Sequence, residues 1–116
     1  MKKSILLILC AGFFLGCESE DIPRGTPSCI KDLINDVATP EGVWSSPAEV
    51  YRYQFKGKTV YYLRSHCCDA YDYLLDENCN VLCAPNGGFH GYGDGKCPDF
   101  FDLRKNEKLI WRDSRL

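Results

Sequence analysis

The cysteines constrain this chain more than any other feature. Eight of its 116 residues are cysteine, and the compartment decides whether such residues bind metal, do redox chemistry or form disulfides. The run His66-Cys67-Cys68-Asp69 poses the question directly, because a histidine and an aspartate flank two consecutive thiols. The answer depends on where the chain is sent, and the other end of the sequence carries that signal.

Residues 1–16 have the features of a secretory signal peptide. Lys2 and Lys3 precede an apolar run, and this run of about 12 residues is too short for a membrane span, which needs about 20. It ends at Gly16-Cys17, which resembles the lipobox of bacterial lipoproteins, where signal peptidase cuts before a cysteine that carries the lipid. We therefore predict a lipid anchor on Cys17, with ordinary cleaved secretion as the alternative.

Residues 17–27 then form an acidic tether. Glu18-Ser19-Glu20-Asp21 resembles the export signal of Bacteroidota-type lipoproteins that reach the outer face of the outer membrane. The same stretch suits a solvated tether, so an anchor facing the periplasm is the alternative to the cell surface. Without Lys2 and Lys3, 12 of the 14 basic side chains remain against 16 acidic ones, a net charge of −4. That charge argues against a nucleic-acid partner.

Residues 28–116 are predicted to form a single small domain, a size at which a hydrophobic core alone stabilises weakly. An even number of cysteines in an exported domain predicts three disulfides, each contributing about 2–4 kcal/mol. Cys67 and Cys68 would point to opposite faces of a strand and so bond to different partners. The pairing stays open among the six: Cys29, Cys67, Cys68, Cys79, Cys83 and Cys97.

The apolar spacing predicts one helix near residues 27–38, with Thr26 as its cap and a stripe through Ile30, Ile34 and Val37. Residues 49–65 predict a hairpin turning at Lys56-Gly57. In this register Phe55 pairs with Lys58, Tyr53 with Val60, and Tyr51 with Tyr62. We predict that these side chains share one face and that the helix covers it: Tyr51, Tyr53, Phe55, Val60 and Tyr62.

The C-terminal half predicts a second hairpin, Tyr71–Asp76 with Val81–Ala84, then a glycine-rich loop over residues 85–95. A short helix begins at Pro98 and Asp99, and Lys108–Trp111 indicates a last strand. The predicted fold is α+β, with an N-terminal amphipathic helix packed on a four-stranded antiparallel meander. Disulfides stabilise it, and a glycine-rich loop and a short C-terminal segment complete it.

Residues 51–111 resemble an uncharacterised family of small Bacteroidota-type lipoproteins, a domain of unknown function. The pieces that carry the resemblance occur in order as "GKTVYY", "CCD", "LLDENCNVLCAPNGG" and "GDGKCPDF". Cys79 stands where the family pattern has glycine, which indicates that one disulfide is particular to this chain. The resemblance implies the lipoprotein localisation and an α+β fold, and it brings no known activity.

Three kinds of chemistry fit the sequence poorly. Zinc would need thiols that the exported route oxidises, and no CxxC motif supports a thioredoxin-like site. The Asp76-Asn78-Asn80 spacing mimics an EF-hand, but the turn glycine and the bidentate glutamate are missing. A different calcium site using Asp94 stays open. We expect no cofactor and no metal.

The binding hypothesis is the main one. Arginine and aromatic side chains are common hot-spot residues of protein interfaces. On this basis we predict a binding patch formed by Arg52, Tyr61, Phe89 and Tyr92. We expect a monomeric, lipid-anchored, non-catalytic adaptor or inhibitor-like protein that binds an unknown protein or glycan. The alternative is a small secreted hydrolase that uses His66 and His90 as its acid and base.

Overall fold

The computed structural model describes residues 22–38, 48–64 and 70–114. The predicted signal peptide, Cys17, and the whole run from His66 to Asp69 lie outside the described residues. The described chain forms two helices and five strands. In chain order they are α1 (Ser28–Val37), β1 (Glu49–Phe55), β2 (Lys58–Arg64), β3 (Tyr71–Leu75), β4 (Val81–Gly87), α2 (Phe100–Leu103) and β5 (Lys105–Arg112).

The predicted fold class, a helix on a four-stranded meander, is wrong. The protein is built mainly on a five-stranded antiparallel sheet in the order β4-β3-β2-β1-β5. The last strand returns to pair with β1, placing Arg112 opposite Glu49 and Lys108 opposite Arg52. Its sequence starts as Lys105-Asn106-Glu107-Lys108, so it lacks the apolar alternation by which strands are recognised. Charged residues suit this position because they discourage pairing at a sheet edge.

The register predicted for the first hairpin is confirmed. Tyr51 lies opposite Tyr62, Tyr53 opposite Val60, and Phe55 opposite Lys58. The turn residues Lys56 and Gly57 have φ of 53° and 81°, as a two-residue type I′ turn requires. A turn of two residues fixes the pairing of the whole hairpin, which is why this feature is readable from the sequence.

The prediction of which face the helix covers is wrong. Ile30 and Ile34 of α1 pack against Val50, Tyr61 and other side chains on the side opposite to the predicted one. We call this side the helix face; its cluster is completed by Leu75 and Ile110. Strand alternation decides which residues share a face, but it carries no information on which face a distant helix covers. Nor does Thr26 cap α1, since its hydroxyl donates to the Pro23 carbonyl at 2.8 Å.

The other side, which we call the aromatic face, is closed by α2. Phe100 is fully buried and meets the rings of Tyr53 and Phe55 edge to face at centroid distances of 5.3 and 5.2 Å. Edge-to-face pairs are a favourable ring geometry. The cluster also contains Val60, Tyr62, Leu74, Cys83 and Cys97. The sheet therefore has a core on each side.

Among the described residues, two disulfides connect these layers. Cys29–Cys79 joins α1 to the β3–β4 turn, and Cys83–Cys97 joins β4 to the segment before α2. The disulfide bonding expected of an exported domain is thus present. Cys79 adopts φ 65°, a conformation that favours glycine. A glycine at the position of Cys79, as in the family pattern that the sequence resembles, would adopt this conformation readily.

The glycine-rich loop after β4 folds back against that strand. Gly93 donates to the Gly87 carbonyl at 2.9 Å, and Asp94 donates to the Ala84 carbonyl at 2.8 Å. A Cβ on Gly93 would lie 2.1 Å from the Ala84 oxygen, so the close backbone approach excludes any larger residue. The loop occupies part of the outer edge of β4. Of the helices in the described ranges, none has the length and apolar character to cross a membrane.

Candidate functional site

The aromatic face is only partly covered, and a cleft remains beside α2. Its volume is about 390 Å³, within the range typical of small-molecule sites. Residues from β1, β2, β4, β5 and α2, together with the residue after α2, line it. We call it the tyrosine cleft, defined by Tyr51, Tyr53, Tyr62, Arg64, Asn86, Phe101, Arg104 and Glu107.

The hydroxyl of Tyr53 connects two charged side chains in this cleft. It donates to Glu107 Oε1 at 2.8 Å and accepts from an Arg104 guanidinium nitrogen at 3.3 Å. Burial, together with the hydrogen bond to Glu107, raises the pKa of Tyr53 above its ordinary value of 10.0. Tyr53 therefore stays protonated at neutral pH and acts as a bridge between the two charges.

Arg104 is positioned by aromatic rings. Its guanidinium carbon lies 5.3 Å from the ring centre of Tyr53 and 5.0 Å from that of Phe101. Such cation–π contacts favour a guanidinium over a ring face. Because two rings contact the planar group and one nitrogen bonds Tyr53, the orientation of Arg104 is set before any ligand arrives.

Tyr62 and Asn86 form the inner wall. The Asn86 amide donates to Asp72 Oδ2 at 3.1 Å and also reaches the Tyr62 hydroxyl. Burial, followed by the negative charge of Asp72, raises the pKa of Tyr62 to about 12. This wall therefore presents neutral phenol and amide groups, which donate and accept hydrogen bonds.

A buried carboxylate organises the far end of the cleft. Glu49 bonds Arg112 through two guanidinium nitrogens, one of them at 2.7 Å, and Arg64 at 3.2 Å. Tyr51 donates to the same carboxylate at 3.3 Å. Burial alone would raise the pKa of Glu49, but the two arginines outweigh it and hold the pKa below 4.5. Glu49 thus holds Arg64 at the edge of the cleft.

The four residues of the patch predicted from sequence do not come together as one exposed surface. Tyr61 is only 3% exposed and lies under α1, beside its cross-strand partner Arg52. Phe89 and Tyr92 project from the glycine-rich loop with exposures of 82% and 84%. Of the four predicted residues, these two in the loop present large aromatic surface to solvent.

Two of the residues considered for acid–base and metal chemistry, His90 and Asp94, do not line the cleft. His90 is exposed in the glycine-rich loop, with its ring 5.0 Å from that of Phe89, and His66 lies outside the described residues. Asp94 accepts the Lys96 amide at 3.0 Å, which lowers its pKa. Within the described ranges no group of three or more His, Cys, Asp or Glu residues could hold a metal ion.

Comparison with known proteins places the chain in a family. A model described as "Domain of unknown function (DUF6970)" matches residues 38–113, more than half of the 116 residues. The chain belongs to this family. No curated protein and no solved structure matches it significantly. The matched range contains the whole sheet and every residue of the tyrosine cleft.

Sequence reasoning assigned the three tyrosines of the cleft to the core and overlooked its other members. One signal was present: the predicted register already placed Tyr51, Tyr53 and Tyr62 on one face, and buried phenol groups need polar partners. Arg104 and Glu107 gave no such signal, because their neighbours depend on the return of β5 to β1.

Proposed function

We propose that this protein is an exported lipoprotein, anchored to the outer membrane by a lipid on Cys17 and exposed at the cell surface, that binds a ligand without transforming it. Three features support the anchor: the charged and apolar leader, the Gly16-Cys17 junction and the acidic tether. The two disulfides are consistent with an oxidising compartment.

The tyrosine cleft is the observation that carries the binding role. It combines a volume of about 390 Å³ with convergent hydrogen-bonding groups and the half-exposed ring of Phe101. The lining is mainly polar, and precisely placed polar groups are what fix the orientation of a ligand in a small-molecule site. The ligand is either a free small molecule or a chemical group displayed on a protein or glycan.

The protonation states in the cleft favour binding over catalysis. Tyr53 and Tyr62 have raised pKa values and do not act as bases at neutral pH, where a general base needs a pKa near the working pH. Arg64 and Arg104 present guanidinium groups, which donate hydrogen bonds and accept none. These groups supply fixed donors and acceptors, which orient a ligand but take no proton from it.

The anchor is tested by Cys17→Ala. We expect the variant to leave the membrane fraction and to lose incorporation of radiolabelled palmitate, while Cys10→Ala, a matched cysteine within the leader, changes neither. Protease treatment of intact cells then reports which side of the membrane the domain faces. If Cys17→Ala stays in the membrane fraction like the wild type, the lipoprotein assignment is contradicted.

The binding role is tested by screening the mature, detergent-solubilised protein against sugars, amino acids, organic acids and nucleotides by amide NMR. We expect shifts that cluster on the tyrosine cleft. Tyr62→Phe removes one hydroxyl from the cleft and should weaken the affinity for the compound that binds. Tyr61→Phe removes a buried hydroxyl from the opposite face and should leave that affinity unchanged. If all hits map elsewhere, or if the two variants behave alike, the cleft is not the ligand site.

A further inference from the structure

Two opposite charges in the tyrosine cleft share a single phenol oxygen. Arg104 donates to the Tyr53 hydroxyl and Glu107 accepts from it, but no direct ion pair joins the two side chains within the described residues. By contrast, Asp99 pairs directly with Lys56, and Glu49 pairs directly with Arg64 and Arg112. Each of the two charges thus has bonding capacity left.

The geometry of Arg104 favours a carboxylate partner. A guanidinium has five N–H donors in one plane, and one nitrogen is used by Tyr53. The rings of Tyr53 and Phe101 lie against the group, so a ligand approaches its edge. The edge of a guanidinium matches the two oxygens of a carboxylate.

Glu107 favours the opposite charge. One of its oxygens accepts the Tyr53 hydroxyl, and the side chain is exposed. A ligand that carries only a carboxylate would bind Arg104 but would be repelled by Glu107. A ligand that carries an ammonium close to its carboxylate satisfies both residues at once.

From this juxtaposition we propose that the tyrosine cleft recognises the α-amino acid group, with Arg104 binding the carboxylate and Glu107 binding the ammonium. The inference rests on the proposed binding function and narrows it to one ligand chemistry. Phe101 is 41% exposed at the cleft, so an apolar side chain of the amino acid has a ring to contact. No covalent step is involved.

Three probes of one shape test the inference by calorimetry on the mature, detergent-solubilised protein. They are phenylalanine, 3-phenylpropionate, which lacks the ammonium, and 2-phenylethylamine, which lacks the carboxylate. Because a hydrogen bond to a charged group contributes about 1.5–3 kcal/mol, we expect phenylalanine to bind at least about 10-fold tighter than either analogue.

Two variants that each remove one charge assign the roles. Arg104→Gln should weaken the affinity for phenylalanine at least about 10-fold and leave the affinity for 2-phenylethylamine within about twofold of its original value. Glu107→Gln should also weaken the affinity for phenylalanine, but should leave the affinity for 3-phenylpropionate within about twofold. Arg52→Gln removes an arginine from the opposite face and should leave all three affinities unchanged. Matching amide spectra would show that each variant is folded.

The outcomes separate this inference from the proposed function. Equal affinities for phenylalanine and 3-phenylpropionate would overturn the role of Glu107, and equal affinities for phenylalanine and the amine would overturn that of Arg104. Binding of glucose in the cleft, with no binding of phenylalanine at about 10 mM, would overturn the amino-acid inference and keep the binding function. N-acetylphenylalanine, in which acetylation removes the ammonium charge, represents a peptide C-terminus. Comparing its affinity with that of phenylalanine distinguishes recognition of a free amino acid from recognition of a peptide C-terminus.

Discussion

The two faces of the sheet are covered to different extents. The helix face lies under the ten-residue α1, whose Ile30 and Ile34 are almost completely buried. On the aromatic face, the one described helix is α2, whose four residues insert one fully buried ring, Phe100, among the tyrosines. Because one helical turn does not fill the whole face, a cleft remains beside Phe100, and two of the tyrosines that line it, Tyr53 and Tyr62, are themselves almost fully buried. The proposed site is therefore a consequence of incomplete cover.

The largest expected effect comes from removing that single ring. Phe100→Ala should lower the free energy of unfolding by about 3–5 kcal/mol, because it leaves a cavity at the centre of the aromatic cluster. Phe101→Ala, next to it and partly exposed, should cost less than about 1.5 kcal/mol. Urea denaturation of both variants measures the difference. Similar losses would mean that Phe100 is not what closes this face.

The next largest effect is expected for the two disulfides, each of which lies on a different face of the sheet. Cys29–Cys79 spans 50 residues and Cys83–Cys97 spans 14. Replacing both cysteines of a pair by alanine should cost about 2–4 kcal/mol, with the longer loop costing about 1 kcal/mol more in the chain-entropy model. Thermal unfolding of the two double variants under non-reducing conditions tests this order. A larger loss from the shorter loop would show that local strain or packing outweighs loop entropy.

A smaller effect concerns acid stability at the edge of the tyrosine cleft. The arginines hold the pKa of Glu49 below its ordinary value of 4.5, so the folded state favours the ionised form. This stabilisation is fully present above pH 4.5 and is lost as pH falls through the folded-state pKa. Glu49→Gln should cost about 1.5–3 kcal/mol at neutral pH and progressively less below pH 4.5. A difference between wild type and variant that does not change with pH would contradict the ionic role of Glu49.

The smallest expected effect is at the surface of the aromatic face. Lys56 and Asp99 form an ion pair at 2.9 Å in which both side chains are exposed by more than a third. Asp99→Asn should therefore change the free energy of unfolding much less than Glu49→Gln does, and less still in high salt. A loss as large as that of Glu49→Gln would mean that exposure does not separate these two ion pairs.

Much of the local structure was predictable. The first hairpin, its turn at Lys56-Gly57, the second hairpin and the short helix after Asp99 all occur as expected. Each depends on residues that are close in the chain. The fifth strand was recognised only from Lys108 onward, because its first half is charged, and its place beside β1 was missed entirely.

The candidate site was less predictable than the fold. Tyr51, Tyr53 and Tyr62 were correctly placed together, but they were assigned to a core beneath α1. Their role depends on which helix covers them, and a distant helix leaves no mark in the strand sequence. Arg104 and Glu107 reach Tyr53 across 51 and 54 residues of chain, a separation over which no sequence pattern predicts contact.

The sequence by itself determined the periodic and local features: alternation within each strand and the hairpin register. It also predicted an export leader, and with it disulfides as the expected state of the cysteines. These follow from neighbours a few residues apart and from the compartment. Only the tertiary structure decided that α1 covers the helix face, that β5 returns to β1, and that Phe100 leaves the tyrosine cleft open beside it. Those outcomes depend on how side chains of different elements fill space, which is settled by packing in three dimensions.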